Sequence, residues 1–406
     1  MKKKKMVAVQ QPSIKNVLSN KNVSLNVVYE TIDKWLYVPD KKLIDTILAT
    51  ALSRRIMELD NDLAIWLAIV TASSGGKTTL LEGLLTVPDF EQLSRGELGD
   101  VIELPEITSK TLNTRYKKAE PLAPKLKNKL VIIPESGRLL NVNAVERRAI
   151  FGQLRDLYDK NCARWTGSDT TYDKLKDQMR DINVTLIIGC VPTAERHLIM
   201  EQLLGTRFLT YRCNDINEQK VLDKAETNFE HEAQMKSELN QVFRSFIDVY
   251  EKKELWNNIE IDDDVKVELR VLSKKLVVMR AMAEIDSYSQ MPKGVVSKES
   301  PTRCYKQFLR MFKCLMSLDE NYSKLRALEV LEHIAYSSGS RERQRILERF
   351  EMGFSKQWVT NKDMVRAVRL PFKIVRRECT ILWMLKILDR IDNLEGEGEA
   401  WSLISQ

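Results

Sequence analysis

Three short apolar runs, at residues 63–70, 130–133 and 184–188, interrupt a chain that is otherwise charged and periodic. They are too short for buried helices and do not alternate with polar residues, so the pattern predicts strands buried on both faces. Around them apolar side chains recur at helical spacing. Leu43, Ile44, Ile47, Leu48, Leu52, Ile56 and Leu59 mark a helix before the first run, and Ile150, Leu154 and Leu157 mark another over about 145–158. Residues 79–85 read as a helix following the first run. Strands separated by helical segments predict an α/β fold with a mostly parallel sheet and crossover helices. From about 214 to 318 the pattern turns wholly helical, with long charged amphipathic stretches. A last unit, about 321–394, shows short helices, sharp turns and a basic face, and no internal repeat is found.

The chain has 406 residues, enough for two or three domains with sizeable cores. The pattern divides it at 1–40, a basic tail and short lead-in; 41–213, the α/β core; 214–320, a helical unit; and 321–406, a C-terminal unit. No apolar run approaches the roughly 20 residues of a membrane span. The lysines Lys2 to Lys5 precede the polar Gln10-Gln11-Pro12-Ser13 too closely for an export signal, and read as a solvated basic tail. Six scattered cysteines without a Cys-x-x-Cys pair, and only three histidines, give no zinc pattern. Free thiols in a reducing cytoplasm are the expectation. A formal charge of +7 permits nucleic-acid binding without requiring it.

The first run leads into Thr71-Ala72-Ser73-Ser74-Gly75-Gly76-Lys77-Thr78-Thr79. A strand, a small-residue loop ending Gly-Lys-Thr and a helix make a P-loop. Small residues let backbone N–H groups of Ser73, Ser74, Gly75, Gly76 and Thr79 converge on the β- and γ-phosphates of a nucleotide. Lys77 adds a full positive charge and the Thr78 hydroxyl can hold Mg²⁺. Thr71 stands where the first consensus glycine belongs. Hydrolysis also needs a carboxylate at a neighbouring strand end, to hold Mg²⁺ through water and orient the attacking water. Glu135, directly after the second run, occupies that place. Pro134 replaces the acidic residue that usually precedes it, so Glu135 serves both jobs, another residue assists, or hydrolysis is impaired.

These motifs, with residues 151–159, 186–193 and 204–212, resemble the P-loop ATPases carried by phages, plasmids and integrated mobile elements, relatives of the AAA+ helicase group. The resemblance covers roughly 63–212 well and the remainder more loosely. It implies an AAA+-like P-loop core, a helical lid over 214–320, ATP and Mg²⁺ as cofactors, and assembly into a homo-oligomeric ring, a hexamer among the options. It also implies roles for three residues. Thr193 matches the polar sensor of the γ-phosphate, where asparagine is commoner. Arg207 in Gly205-Thr206-Arg207-Phe208 looks like an arginine finger reaching a neighbouring subunit's nucleotide. Arg303 resembles the second sensor arginine of minichromosome-maintenance helicases.

The C-terminal unit gives an independent clue. Residues 361–368 read as a helix capped by Thr360; Arg369-Leu370-Pro371 is a tight turn; a second helix runs from Phe372 to about Leu388. Val375, Cys379, Leu382 and Leu385 are expected to be buried, with Lys373, Arg376, Arg377 and Thr380 exposed. That is a helix-turn-helix pattern, read as part of a winged helix whose Lys373, Arg376 and Arg377 contact DNA. Arg164, Trp165, Lys174 and Lys176 mix cationic and aromatic groups that could grip a single strand, though an ordinary surface insertion fits equally. The leading expectation is a DNA-dependent ATPase, a replicative helicase or helicase loader of a mobile element, with initiator or replication proteins as further partners. A nucleotide-gated DNA-binding regulator and a defence or signalling ATPase are the alternatives.

Overall fold

The computed structural model describes residues 23–60, 64–72, 76–85, 99–104, 107–108, 112, 122–160, 162, 181–193, 207–213, 217–253, 255–354, 357–392 and 398–404. The lysine-rich start, Ser73 to Gly75, the Arg164–Lys176 segment and Gly205-Thr206 lie outside them.

The apolar runs become strands of one five-stranded, all-parallel sheet. These are β1 (Trp66–Val70), β3 (Lys129–Ile133) and β4 (Val184–Cys190), joined by β2 (Val101–Glu103) and β5 (Phe208–Arg212), in the order β2-β3-β4-β1-β5. The first strand is shorter than the apolar run predicts, and the third extends two residues further, through Gly189 and Cys190. Side chains alternate between two cores. Leu67, Ile69, Leu130, Ile132, Ile187, Leu209 and Tyr211 face one core, and Trp66, Ala68, Val70, Val131, Ile133, Leu186 and Ile188 face the other. Burial on both faces is why these strands carry uninterrupted apolar sequence.

On the first face lie α1 (Leu25–Trp35) and α2 (Lys41–Asp60), with α7 (Glu232–Lys253), α8 (Asp263–Arg280), α9 (Pro301–Met316) and α10 (Lys324–Ser337). The second face is covered by α5 (Ala144–Tyr158), which buries Ile150, Leu154 and Leu157 as its periodicity predicts. Between α1 and α5 come the short α3 (Lys77–Glu82) and α4 (Gly137–Leu140); α6 (Glu218–Asn228) precedes α7. The short helix α3 ends at Gly83, which lies against α7: a Cβ there would sit 3.0 Å from the Phe243 ring. Packing of α10 against α8, α9 and β5 places Val330, Leu331 and Ile334 in the same core as the sheet.

The stretch 214–318 is not wholly helical. An antiparallel hairpin, β6 (Met282–Ile285) and β7 (Pro292–Ser297), follows α8. Its turn is tied by Asp286, whose carboxylate accepts the Tyr288 N–H at 3.1 Å and the Ser289 N–H at 2.7 Å. Pro292 and the left-handed Gly294 (φ 77°) break the helical pattern there.

A third core belongs to the C-terminal unit: α11 (Arg341–Gly353), β8 (Val359–Thr360), α12 (Asn361–Val368), α13 (Phe372–Met384), β9 (Leu388–Ile391) and β10 (Ala400–Leu403). Its strands form a separate antiparallel sheet in the order β8-β10-β9. Thr360 caps α12 as expected, accepting the Asp363 N–H at 3.2 Å. Arg343 joins this unit to the rest. Its guanidinium donates to the Val278, Met279 and Ala281 carbonyls ending α8, at 3.1, 2.9 and 2.5 Å, and pairs with buried Glu378 at 3.0 Å.

Candidate functional site

The parallel sheet places the ends of β1, β3, β4 and β5 along one edge. Val70 stands opposite Cys190 of β4 and Arg212 of β5. After β1 the chain reaches Gly76, whose left-handed conformation (φ 71°) favours glycine, and enters α3 at Lys77. Lys77 is buried, and its ammonium donates to the Cys190 carbonyl at 3.0 Å. The Thr71 N–H donates to the same oxygen at 3.1 Å. Burial holds the Lys77 pKa below the usual lysine range, while the charge of Glu135 opposes that shift. An ammonium held out of water beside one already occupied carbonyl is a group suited to a polyanion.

Glu135 is exposed, but its backbone is fixed on the downstream side. Ser136 is buried, its N–H donates to the Gly189 carbonyl at 2.8 Å and its hydroxyl to the Cys190 sulfur at 3.2 Å. Gly189 is essential to this approach. A Cβ there would lie 2.1 Å from the Pro134 carbonyl oxygen and 3.0 Å from the Lys77 Cε. Thr193, in the short turn after β4, is exposed at the same sheet edge because β4 lies between β1 and β3. Thr78, one residue into α3, is half-buried. Thus Lys77, Thr78, Glu135 and Thr193 are brought to one end of the sheet. These residues fit a magnesium nucleotide: a desolvated ammonium for phosphate, a hydroxyl and an accessible carboxylate for the cation. Among the described residues no group of three or more His, Cys, Asp or Glu converges as a metal site.

A narrow apolar cavity of about 40 Å³ adjoins Gly76 and Lys77. Tyr37, Val38 and Pro39, from the link between α1 and α2, and Leu43, Ile69, Leu80 and Cys213 line it. Burial raises the Cys213 thiol to about 12, so it is an inert neutral wall. Asp40, also on the lining, accepts the Tyr211 hydroxyl at 2.5 Å. These lining residues escape a motif reading, because nothing in Tyr37-Val38-Pro39 has a fixed spacing from the P-loop. Gly189 does leave a signal, a glycine inside an apolar strand.

Arg207 and Arg303 are not at this edge. Arg207 immediately precedes β5, whose first residue, Phe208, stands opposite Trp66 at the start of β1. A strand of this length separates the two ends by roughly 15 Å. Arg207 is buried, pairs with Asp159 at 2.6 Å and lies over the Tyr158 ring at 5.7 Å. Gln307 of α9 donates to the Arg207 carbonyl at 2.8 Å and to the Tyr158 hydroxyl at 2.9 Å. Arg303, in the first turn of α9, pairs with Glu299 at 3.7 Å, and its charge also acts on Tyr158. The two arginines therefore share one end of the molecule, opposite Lys77.

The expected exposure of the α13 face is corrected in part. Lys373 is exposed, but Arg376 donates twice to Glu399, at 2.7 and 2.8 Å, and Arg377 pairs with Glu378 at 3.1 Å. Thr380 is buried rather than exposed, its hydroxyl donating to the Arg376 carbonyl at 2.7 Å. The hairpin strand β7, absent from the helical reading, packs against α13. No described helix is long and apolar enough to cross a membrane. In comparison with known proteins, no family model matches the chain and no curated protein is significantly similar to it.

Proposed function

We propose that the chain is a P-loop ATPase that works on DNA, a helicase or helicase loader of a mobile element. The observation that carries this reading is the convergence of Lys77, Thr78, Glu135 and Thr193 at one edge of an all-parallel sheet, with Gly76 and Gly189 clearing space beside the lysine. Bound ATP with Mg²⁺ supplies the phosphoryl group and the Lewis acid. Lys77 would exchange the Cys190 carbonyl for phosphate oxygens, the Thr78 hydroxyl would hold the cation, and Glu135 would hold it through water. Glu135 orients the attacking water and takes up its proton, and Thr193 contacts the terminal phosphate side. The nucleotide base lies toward Tyr37, Val38 and Pro39, which must open to admit it.

The ring rests on Arg207 and Arg303, since both lie at the end of the chain away from its own Lys77. They meet a nucleotide only if it belongs to a neighbouring copy, and Arg207 must then leave Asp159. In this reading residues 214–320, with α6 to α9, form the lid and the C-terminal unit is a winged helix that meets DNA. A nucleotide-gated DNA-binding regulator with little hydrolysis is the second reading, favoured by Pro134 where a second carboxylate would stand.

The deciding experiment measures ATP hydrolysis with and without single- and double-stranded DNA, for the wild type, Lys77→Ala and Arg207→Ala. DNA-stimulated turnover, lost in each variant and partly regained on mixing them, is the result expected of a ring motor. Tight ATP binding with no wild-type turnover would leave the regulator. Arg207→Lys, which keeps a cation beside Asp159, controls for loss of folding.

A further inference from the structure

With Arg376 and Arg377 engaged by carboxylates, the uncommitted positive charge of the C-terminal unit lies elsewhere. Lys362 and Arg366 are exposed and spaced i, i+4, so they stand one above the other on the solvent face of α12, and Arg369, also exposed, ends that helix. Lys373, exposed in the first turn of α13, is the next cation along the chain. Asp363 is the carboxylate nearest in sequence; it is held in the cap by Thr360, and its pair with Arg366 is loose, at 3.8 Å with the arginine side chain 81 % exposed. Exposed aromatic rings stand at both ends of the row in the chain: Trp358 (44 %) just before β8 and Phe372 (48 %) at the start of α13.

Backbone geometry at Arg369 points the same way. Arg369 ends α12 in the left-handed conformation (φ 53°, ψ 46°), its N–H donating to the Val365 carbonyl at 2.8 Å. Glycine is the residue that takes this position without strain. An arginine there, with its side chain in solvent, holds a backbone conformation that a glycine would take without strain.

We infer that α12 and the turn after it form a track for single-stranded DNA. Lys362, Arg366, Arg369 and Lys373 neutralise successive phosphates, and Trp358 and Phe372 stack on unpaired bases. Unpaired bases are favoured because only they offer a ring face to an exposed aromatic; in a duplex those faces are covered. The inference deepens the DNA-dependent reading above and rests on it, but it moves the contact from α13 to α12.

The test is anisotropy of labelled single-stranded and duplex DNA of mixed sequence with the full chain, without nucleotide, across roughly 50 to 200 mM salt. Four phosphate contacts predict a log–log salt slope of about −2.8 on single strands. Lys362→Ala with Arg366→Ala should halve that slope, whereas Arg376→Gln with Arg377→Gln should leave it unchanged. Trp358→Ala with Phe372→Ala should weaken binding about tenfold or more at an unaltered slope. Arg369→Gly gives opposed readouts, a higher melting temperature and a shallower slope, which no purely structural role produces. Duplex binding as tight as single-strand binding, or slope loss confined to the α13 variants, overturns the inference. If DNA-stimulated ATP turnover survives those outcomes, the ATPase reading stands alone. If the wild type shows the predicted slope but binds no ATP, the track stands and the ATPase reading falls.

Discussion

Lys77 illustrates how a single residue can be chosen against stability. Its ammonium is buried, its pKa is pushed down by that burial, and its one described acceptor, the Cys190 carbonyl, already receives the Thr71 N–H. Replacing it by a neutral side chain of similar length strands no acceptor and removes a desolvated charge. Lys77→Met should therefore abolish nucleotide binding while stabilising the nucleotide-free protein by about 0.5–2 kcal/mol, read by calorimetry and denaturant melting. Because the folded-state pKa is lowered, the folded lysine sheds its proton first. The deficit of the wild type against the variant should therefore be constant below the lowered folded value and shrink as pH rises through it toward the ordinary lysine value of about 10.4, above which the charge is shed in both states. Gly189 is the converse case, a residue required by space. Its missing Cβ admits the Pro134 carbonyl, which is backbone and cannot swing aside. Gly189→Ala should cost about 1–3 kcal/mol and displace Glu135 through Pro134, seen as lost stability together with lost turnover. The lysine, its threonine and the strand-end glutamate are legible in the sequence because phosphate chemistry demands fixed residue types at fixed spacing. The apolar lining from Tyr37 to Pro39 is not, since any apolar contour of the right shape would serve.

Elements were legible where a single period ruled them. The strands buried on both faces, β1, β3 and β4, stand out as continuous apolar sequence, and α5 shows its buried stripe. The hairpin β6–β7 was hidden because it sits between two strongly amphipathic helices and buries little of its own: Met282, Ala283 and Ile285 are only partly covered. Pro292 and Gly294 were the readable signs of it. The strand β7 packs against α13. Neutralisation of Arg376 by Glu399 is a contact between residues 23 apart, which no helical spacing reveals. That pair makes a pH prediction. The bond from Arg376, with the charge of Arg390, holds the Glu399 pKa below the ordinary glutamate range. A carboxylate with a lowered folded pKa stabilises the fold above its unfolded value of about 4.3 and loses that contribution as pH falls through the lower folded value. Glu399→Gln should flatten the acid limb of the melting curve of this unit. Arg343 is the stronger joint. Losing it leaves Glu378 with Arg377 alone and removes a donor from three carbonyls at the end of α8, so Arg343→Ala should cost about 2–4 kcal/mol. The double variant Arg343→Met with Glu378→Leu should recover only part, because the carbonyls remain without their donor.

Across the whole molecule, the end of β5 links the candidate nucleotide edge to the helices beyond it. Tyr211 donates to Asp40 on the cavity lining, and its ring lies 4.3 Å from that of His333 on α10. His333 contacts the Arg212 carbonyl at 2.8 Å; burial lowers its pKa, so the neutral ring is favoured and its Nε2 carries the proton when it donates. Arg212 donates to the Gly339 carbonyl at 2.6 Å and to Gln344 of α11 at 2.7 Å. Gly339 lies close against the end of α8, where a Cβ would meet the Met279 carbonyl at 2.6 Å. In the proposed ATPase a base entering beside Tyr37 and Pro39 would push on Asp40, and the contacts from Asp40 through Tyr211 and Arg212 end at the loop between α10 and α11. Nucleotide should therefore change amide exchange at residues 338–344, far from any phosphate. Tyr211→Phe removes the bond to Asp40 but keeps the ring packing, and Asp40 retains the Lys42 N–H at 3.1 Å. That variant should bind nucleotide with affinity within a few-fold of wild type yet lose the exchange response at 338–344. Equal responses in the two proteins would mean that β5 carries no signal and that the C-terminal unit senses nucleotide, if at all, through α8 and Arg343.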